Sequence, residues 1–175
     1  MRLISFCVIF FGSLVLSAQN IKVAFDKDHD FSKYKTFRFG DSQIAINDKE
    51  DQKKVPRQHF DMWVKNAITR ELEYKGLAKV DSAADLVVTY AMISSDRNDV
   101  SVTGPLGMTP NSSDRVFNHE YHEIDLIIDM NNRSSYLVWR VNSTAQLSTT
   151  EAERTIDQIV EKGFKKFGKP VRRRK

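Results

Sequence analysis

From Tyr121 to Leu147 apolar and polar residues alternate along two consecutive runs, and this stretch carries most of the strand-type pattern in the chain. In the first run Ile124, Leu126, Ile128 and Met130 alternate with Glu123, Asp125 and Asp129, which is period two with one apolar and one mainly acidic face. Ile127 breaks the polar face. In the second run Leu137, Trp139, Val141 and Ala145 share one face, and Arg140, Asn142 and Thr144 the other. The segment Asn131-Asn132-Arg133-Ser134 between them suits a turn, because Asn tolerates the positive φ such turns need. The two runs therefore predict a long β-hairpin. Where its register sets Asp125 or Asp129 opposite Arg140, each pair adds about 0.2–1 kcal/mol.

Upstream, Ile21-Lys22-Val23-Ala24-Phe25 alternates as a first strand, and the second half of Phe31–Phe39 alternates as another. Asp41–Lys54 is polar without a sustained period and reads as an exposed loop. At Pro56 the period changes: Phe60, Trp63, Val64, Ala67, Ile68 and Leu72 recur at spacings of three and four, an apolar stripe about 100° wide on a helix. Proline is tolerated in that first turn because its missing N–H costs little there. Gly76 ends the helix, with Leu77 placed to fold back as the apolar part of a Schellman cap. Ala84–Ile93 is apolar nearly throughout and predicts a central strand covered on both sides, or on one side plus a neighbour's edge. Asp96–Asn118 contains Gly104-Pro105, Gly107, Pro110 and Asn111-Ser112-Ser113. It reads as a long loop with only a short strand at Val100–Thr103, and loops of that length are functional or disordered. Thr150 and Glu153 form a capping box. Ile156, Ile159, Val160, Gly163, Phe164 and Phe167 then make the buried stripe of a C-terminal helix that Gly168 and Pro170 stop. This order predicts an α+β fold: a mainly antiparallel β-sheet with two amphipathic helices packed on one face.

Ahead of these elements Arg2 precedes an apolar segment, Leu3 to Leu16, followed by Ser17-Ala18-Gln19-Asn20. A positive start, an apolar region too short to span a bilayer, and a small residue before a polar one make a secretory signal peptide over residues 1–18. Cleavage is expected after Ala18, with the preceding bond as the alternative because Leu16 is large for its position. The protein is then expected in the periplasm or outside the cell. The single cysteine, Cys7, lies within the apolar segment, so the chain after Ala18 has no disulfide, thiol nucleophile or cysteine metal site. Cys7 also comes too early in that segment, directly after Phe6, to be an acylated lipoprotein cysteine, so a lipid anchor is not expected. No later segment reads as a transmembrane helix.

Removing 18 residues from 175 leaves 157, enough for one domain with a proper core, here residues 19–168. The chain carries 27 Lys and Arg against 23 Asp and Glu. Arg2 leaves with the signal, and five more cations, Lys169, Arg172, Arg173, Arg174 and Lys175, crowd the C-terminal tail, so residues 19–168 hold 21 against 23. The basic pI therefore belongs to the tail. A folded nucleic-acid binder needs a basic face on the domain itself, so nucleic acid is not an expected partner.

His119-Glu120-Tyr121-His122-Glu123 is the one dense run of ligand-type side chains. On a strand His119, Glu123 and Asp125 share a face while His122 points away, and the spacing is not the helical zinc signature. These three are the weak metal candidates, set against a solvated start to a hairpin arm, which the alternation favours. Asp26, Asp28 and Asp30 are spaced like the start of a calcium loop, but Phe31 and Phe37 stand where the loop needs Gly and Glu. Asp30 is read instead as bonding local backbone amides in a turn. Phe60 and Trp63 are read as core, not as a ligand groove. No glycine-rich phosphate loop, nucleophile elbow or cysteine pair occurs, so no catalytic residue and no cofactor is assigned.

Asp28–Phe37, a helix closing in Glu71-Leu72 and Lys75-Gly76-Leu77, then Ala84–Tyr90, Ile124-Asp125-Leu126 and Leu137-Val138-Trp139-Arg140 follow one another in this chain. In that order the chain resembles the domain-of-unknown-function 4136 family of bacterial envelope proteins over about Ile21 to Phe167. The resemblance implies an exported or lipid-anchored α+β domain and brings no catalytic residues with it. The chain departs from many relatives in lacking a lipobox cysteine and in ending with a basic tail. Two functions are consistent with this reading. The favoured one is a non-catalytic envelope domain that binds or organises a partner through the Asp96–Asn118 segment and an exposed sheet face. The alternative is a periplasmic hydrolase or metal-dependent enzyme using the His119–Asp125 face.

The expected partner is an unknown envelope protein or an anionic envelope surface, and the tail cations are the candidate electrostatic contacts, each contributing about 1 kcal/mol near anionic lipid. Deleting residues 169–175 is expected to abolish salt-sensitive binding to anionic vesicles without lowering the melting temperature; unchanged vesicle binding would remove the tail from consideration.

Overall fold

The computed structural model describes residues 20–46, 56–103, 115–147 and 150–168. The signal segment and the basic tail lie outside them. Two long strands, β5 (Leu86–Thr103) and β6 (Arg115–Asn132), pair antiparallel from Leu86↔Asn132 to Thr103↔Arg115. The other edge of β6 pairs antiparallel with β7 (Leu137–Leu147), and β7 in turn with β1 (Asn20–Phe25). On the far side of β5 lie β2 (Thr36–Phe39), β3 (Gln43–Ile46) and the short β4 (Ala78–Lys79). The seven strands run β1-β7-β6-β5-β2-β4, with β3 also beside β5.

The expected α+β class holds, but the sheet is mixed: β2 and β3 run parallel to β5, and β4 parallel to β2. The cause is the crossover. Helix α1 (Arg57–Tyr74) intervenes between β3 and β5, and a chain that returns through a helix re-enters the sheet in the direction it left. The Asp41–Lys54 segment accordingly contains β3, whose Ile44 is buried beside Met92.

One face of this sheet is dry. Leu86, Val88, Tyr90 and Met92 on β5, Ile124, Leu126, Ile128 and Met130 on β6, and Trp139, Val141, Ala145 and Leu147 on β7 are all buried. Phe60, Val64, Ala67, Ile68 and Leu72 of α1 and Ile156, Ile159, Val160 and Phe164 of α2 (Ala152–Phe164) complete the same cluster. Among the described residues no helix covers the other face, where Val87, Thr89 and Ala91 are partly exposed and Ile93 is 54% exposed. The apolar run Ala84–Ile93 is therefore covered on one face and flanked by neighbouring strands, the second of the two expected arrangements, and is not sandwiched on both sides. Its β-branched residues suit a pleated surface whichever side is wet.

Two further expectations are corrected. Register slips at Met130/Asn131, where Met130 faces Trp139 but Asn131 faces Leu137. The extra residue, Val138, is buried together with Trp139, and Leu137 is 38% exposed; a bulge shifts the alternation by one and turns Leu137 out of the core. The supposed loop Asp96–Asn118 is for the most part paired strand, and only residues 104–114 of it fall outside the described structure.

Helix α1 ends in a full Schellman arrangement: Leu77 N–H donates to Leu72 O at 3.0 Å and Gly76 N–H to Glu73 O at 2.9 Å, with Gly76 at φ 86°. Glycine is needed there because a Cβ would strain the left-handed backbone. At Gly163 the requirement is space: a Cβ would stand 2.7 Å from Val141 Cγ1, so α2 lies directly on β7.

Trp139 sits where these layers meet. Its indole stacks on Phe25 at 4.4 Å and meets Phe167 at 5.3 Å and Phe31 at 5.6 Å edge-to-face, with Phe164 at 6.4 Å. Deleting such a ring removes its burial and leaves a cavity. Trp139→Ala is expected to cost about 3–5 kcal/mol in chemical denaturation, and a loss under about 1 kcal/mol would mean that the ring is not core.

Candidate functional site

The most densely bonded polar cluster joins segments about fifty residues apart. Asp85, at the entry to β5, accepts through Oδ2 from Lys35 N–H (2.9 Å), Thr36 N–H (3.0 Å) and the Thr36 hydroxyl (3.0 Å), while the same hydroxyl accepts from Asp85 N–H (2.9 Å). From the β6–β7 turn, Arg133 reaches Asp85 Oδ1 at 2.9 Å and donates to the carbonyls of Ala83 and Ala84 at 2.9 and 3.1 Å. The Lys35 amide, the Thr36 hydroxyl and amide, and the Arg133 charge hold the Asp85 carboxyl below the ordinary carboxylate range, against a smaller opposing effect of burial. Both oxygens of this carboxylate are engaged within the chain, Oδ2 by three donors and Oδ1 by Arg133. It ties β2, β5 and the hairpin turn together and leaves no poised base.

A second pair anchors α1 to the sheet: the Tyr90 hydroxyl donates to Asp61, which also holds Lys65 at 2.8 Å. Burial, then the Asp61 carboxylate, pushes the Tyr90 phenol far up, so it stays protonated and donates. Burial works against the Asp61 shift, but the bonds from Lys65 and Tyr90 outweigh it and lower the carboxyl. The partners lie 29 positions apart in the sequence, so no local pattern announces them. A third contact, His29 Nε2 to the Tyr34 hydroxyl at 2.6 Å, closes the turn before β2. There Asp30 accepts from the Ser32 amide and hydroxyl at 2.9 and 2.7 Å, which is a local Asx turn in place of a cation loop.

The structure does not gather the weak metal candidates. Residues 119, 123 and 125 fall on the same side of β6, but a strand advances about 3.3 Å per residue, so His119 and Glu123 are separated by about 13 Å along it. Ligands of one zinc-like ion must all reach within about 2.0–2.3 Å of it. Glu123 is instead engaged by Arg97 across the strand pair at 3.0 Å, and Asp125 by the Thr144 hydroxyl at 2.6 Å. The side chain of His119 lies outside the described residues. Among the described residues no three His, Cys, Asp or Glu side chains are close enough to share an ion.

What the structure does build is surface. On the open sheet face Arg140 grips Asp129 in a bidentate pair at 2.6 and 2.5 Å, the cross-strand partner expected from the hairpin pattern. Beyond Asp96↔His122 the pairing with β7 has ended, and among the described residues Arg97–Thr103 and Arg115–Tyr121 pair only with each other. These seven register pairs form a two-stranded arm about 23 Å long. Shallow recesses occur beside Thr89 and Ile127 on the open face, between Lys33 and Arg133 near Asp85, and, at about 400 Å³, between β1 and the end of α2.

The family described as "Domain of unknown function (DUF4136)" matches residues 21–167. The chain belongs to that family. A solved DUF4136 family protein from Bacteroides thetaiotaomicron VPI-5482 is 16% identical, with 85% of this chain and 95% of that one aligned at a TM-score of 0.49. A PDZ domain protein from Parabacteroides distasonis ATCC 8503 shares the fold at a TM-score of 0.56 and 14% identity; 87% of this chain is covered but only 37% of that protein. The PelC dodecamer from Paraburkholderia phytofirmans aligns over 83% of this chain and 94% of its own at 11% identity and a TM-score of 0.46. No curated protein matches the sequence. No helix among the described residues is long and apolar enough to cross a membrane.

Within this DUF4136 domain the Asp85 joint has a clear signature in acid. Because the native carboxyl titrates below its unfolded counterpart, its stabilisation is complete above the unfolded value of about 3.9 and declines as pH falls through that value toward the native one. Asp85→Asn is expected to cost about 1–3 kcal/mol at neutral pH and to flatten the acid limb of a stability-against-pH curve; an unchanged acid limb would show that the shift lies elsewhere.

Proposed function

We propose that this DUF4136 domain is an exported, non-catalytic component of the cell envelope that binds and helps to organise a partner protein. The observation that carries this reading is the two-stranded arm of β5 and β6. An isolated two-stranded ribbon is marginal in water, and each of its edges, unpaired among the described residues, offers a row of backbone donors and acceptors to another chain. Such an arm gives little to a hydrolytic pocket and much to a contact surface. Support also comes from the uncovered sheet face around Ile93, from the internal use of Asp85 and Asp61, and from the signal-like segment Met1–Ala18.

The test is a cross-linked pull-down from the envelope fraction with the tagged protein, beside a variant in which residues 97–121 are replaced by an Asn-Gly turn. The processed protein is expected to begin at Gln19 and to be recovered with a partner that the armless variant loses, while the variant still unfolds cooperatively. Equal capture by both proteins would sink the arm as the contact, and recovery only in the cytoplasmic fraction would sink the envelope assignment.

A further inference from the structure

The recess of about 400 Å³ at the other end of the sheet differs from the recess lined by Asp41 and Asp129 and from the one lined by Asp85. Its floor is Ile21, Val23 and Phe25 of β1, half-buried against the core, and its rim is Lys162, Lys165 and Lys166 at the end of α2, with Gly163 between them. Among the described residues no acidic side chain lines it. Strand β1 is the terminal strand of the sheet, paired with β7 alone among the described residues, so its outer edge presents backbone N–H and C=O groups along this recess.

We propose that this edge is a docking groove for an extended, acidic segment of a partner protein, added to the sheet as a strand beside β1. Three features of the groove specify that occupant. The free strand edge matches main-chain hydrogen bonding, which gives β-addition its affinity. Ile21, Val23 and Phe25 recur at period two, so an added strand with apolar residues at alternate positions covers them in register. Lys165 and Lys166 on the rim, with no carboxylate lining the recess among the described residues, complement Asp or Glu on the incoming segment and oppose basic ones. A second copy of the chain fits poorly, because twofold pairing of β1 edges would bring like-charged lysine rims together. A lipid surface satisfies the charge but leaves the backbone groups of the edge without partners.

The inference rests on the binding-domain reading but uses a surface remote from the arm, so its failure leaves the pull-down result standing. The probe is a fluorescein-labelled decapeptide of alternating valine and glutamate, measured by anisotropy against the purified protein. Saturable binding is expected, weakened about tenfold or more by the double substitution Lys165→Glu with Lys166→Glu, and lost when alternate peptide amides are N-methylated on the edge that would face β1. Both lysines are exposed, so the double variant is expected to keep its melting temperature. No saturation up to about 1 mM, indifference to the two reversals, or equal binding of the N-methylated peptide would overturn the proposal. So would phosphatidylglycerol vesicles that bind in place of the peptide and are lost with the same two reversals, which would assign the groove to lipid.

Discussion

The fold depends on the stretch of β6 from His122 to Asn131 being hydrogen-bonded along both edges while only one of its faces is dry. Pairing with β5 and β7 satisfies its backbone, which a buried strand must achieve, and fixes Ile124, Leu126, Ile128 and Met130 in one apolar row. Because side-chain direction has period two, a slip of one residue in either pairing would exchange that row for Glu123, Asp125 and Asp129. Both helices bury their stripes against the same surface. The Met130/Asn131 bulge is tolerated because it falls at the turn end of β6, where Val138 and Trp139 can both reach apolar surroundings. Trp139 then joins the sheet to β1, to the Phe31 turn and to Phe167 beyond α2.

Local periodicity made much of this legible. The hairpin, both helix stripes, the Gly76 cap and the Asp129–Arg140 pair are all carried by patterns shorter than a turn or two, where a side chain's neighbours in space are its neighbours in sequence. Three features were hidden, each for its own reason. Strands β3 and β4 are too short to show a period, and although β2 alternates, its parallel pairing is set by the α1 crossover and could not be read from local pattern. Ala84–Ile93 is apolar on both faces although one is wet, because valine and isoleucine satisfy a pleated backbone as well as a core. The outer halves of β5 and β6 adjoin residues 104–114 in the sequence, and the glycines and prolines there coloured the reading of their flanks.

The residues that carry the family resemblance are largely architectural. Thr36 in the first block and Asp85 in the third exchange hydrogen bonds, and Arg133, beside the hairpin blocks, closes the joint from the turn. Gly76-Leu77 is a helix cap and Trp139 is core. A domain recognisable by its joints need not carry a shared reaction. Polar groups whose bonding capacity is consumed inside the fold are poor acids, bases or ligands, because using them for chemistry would first break the contacts that hold β2, β5 and α1 in place.

Charge separates the two exposed regions of the molecule. On the open sheet face cations and carboxylates neutralise each other locally, Arg140 with Asp129 and Arg97 with Glu123. Exposed pairs of this kind contribute little to stability, about 0–1 kcal/mol. At the end of α2 Lys165 and Lys166 stand beside an apolar floor with no lining carboxylate among the described residues, although residues 19–168 as a whole are slightly acidic. Concentrating positive charge over a low-dielectric floor focuses the local potential and raises encounter rates with anionic chains. The sheet face and the arm are thus suited to contacts made by shape and backbone, and the β1 groove to one selected by charge.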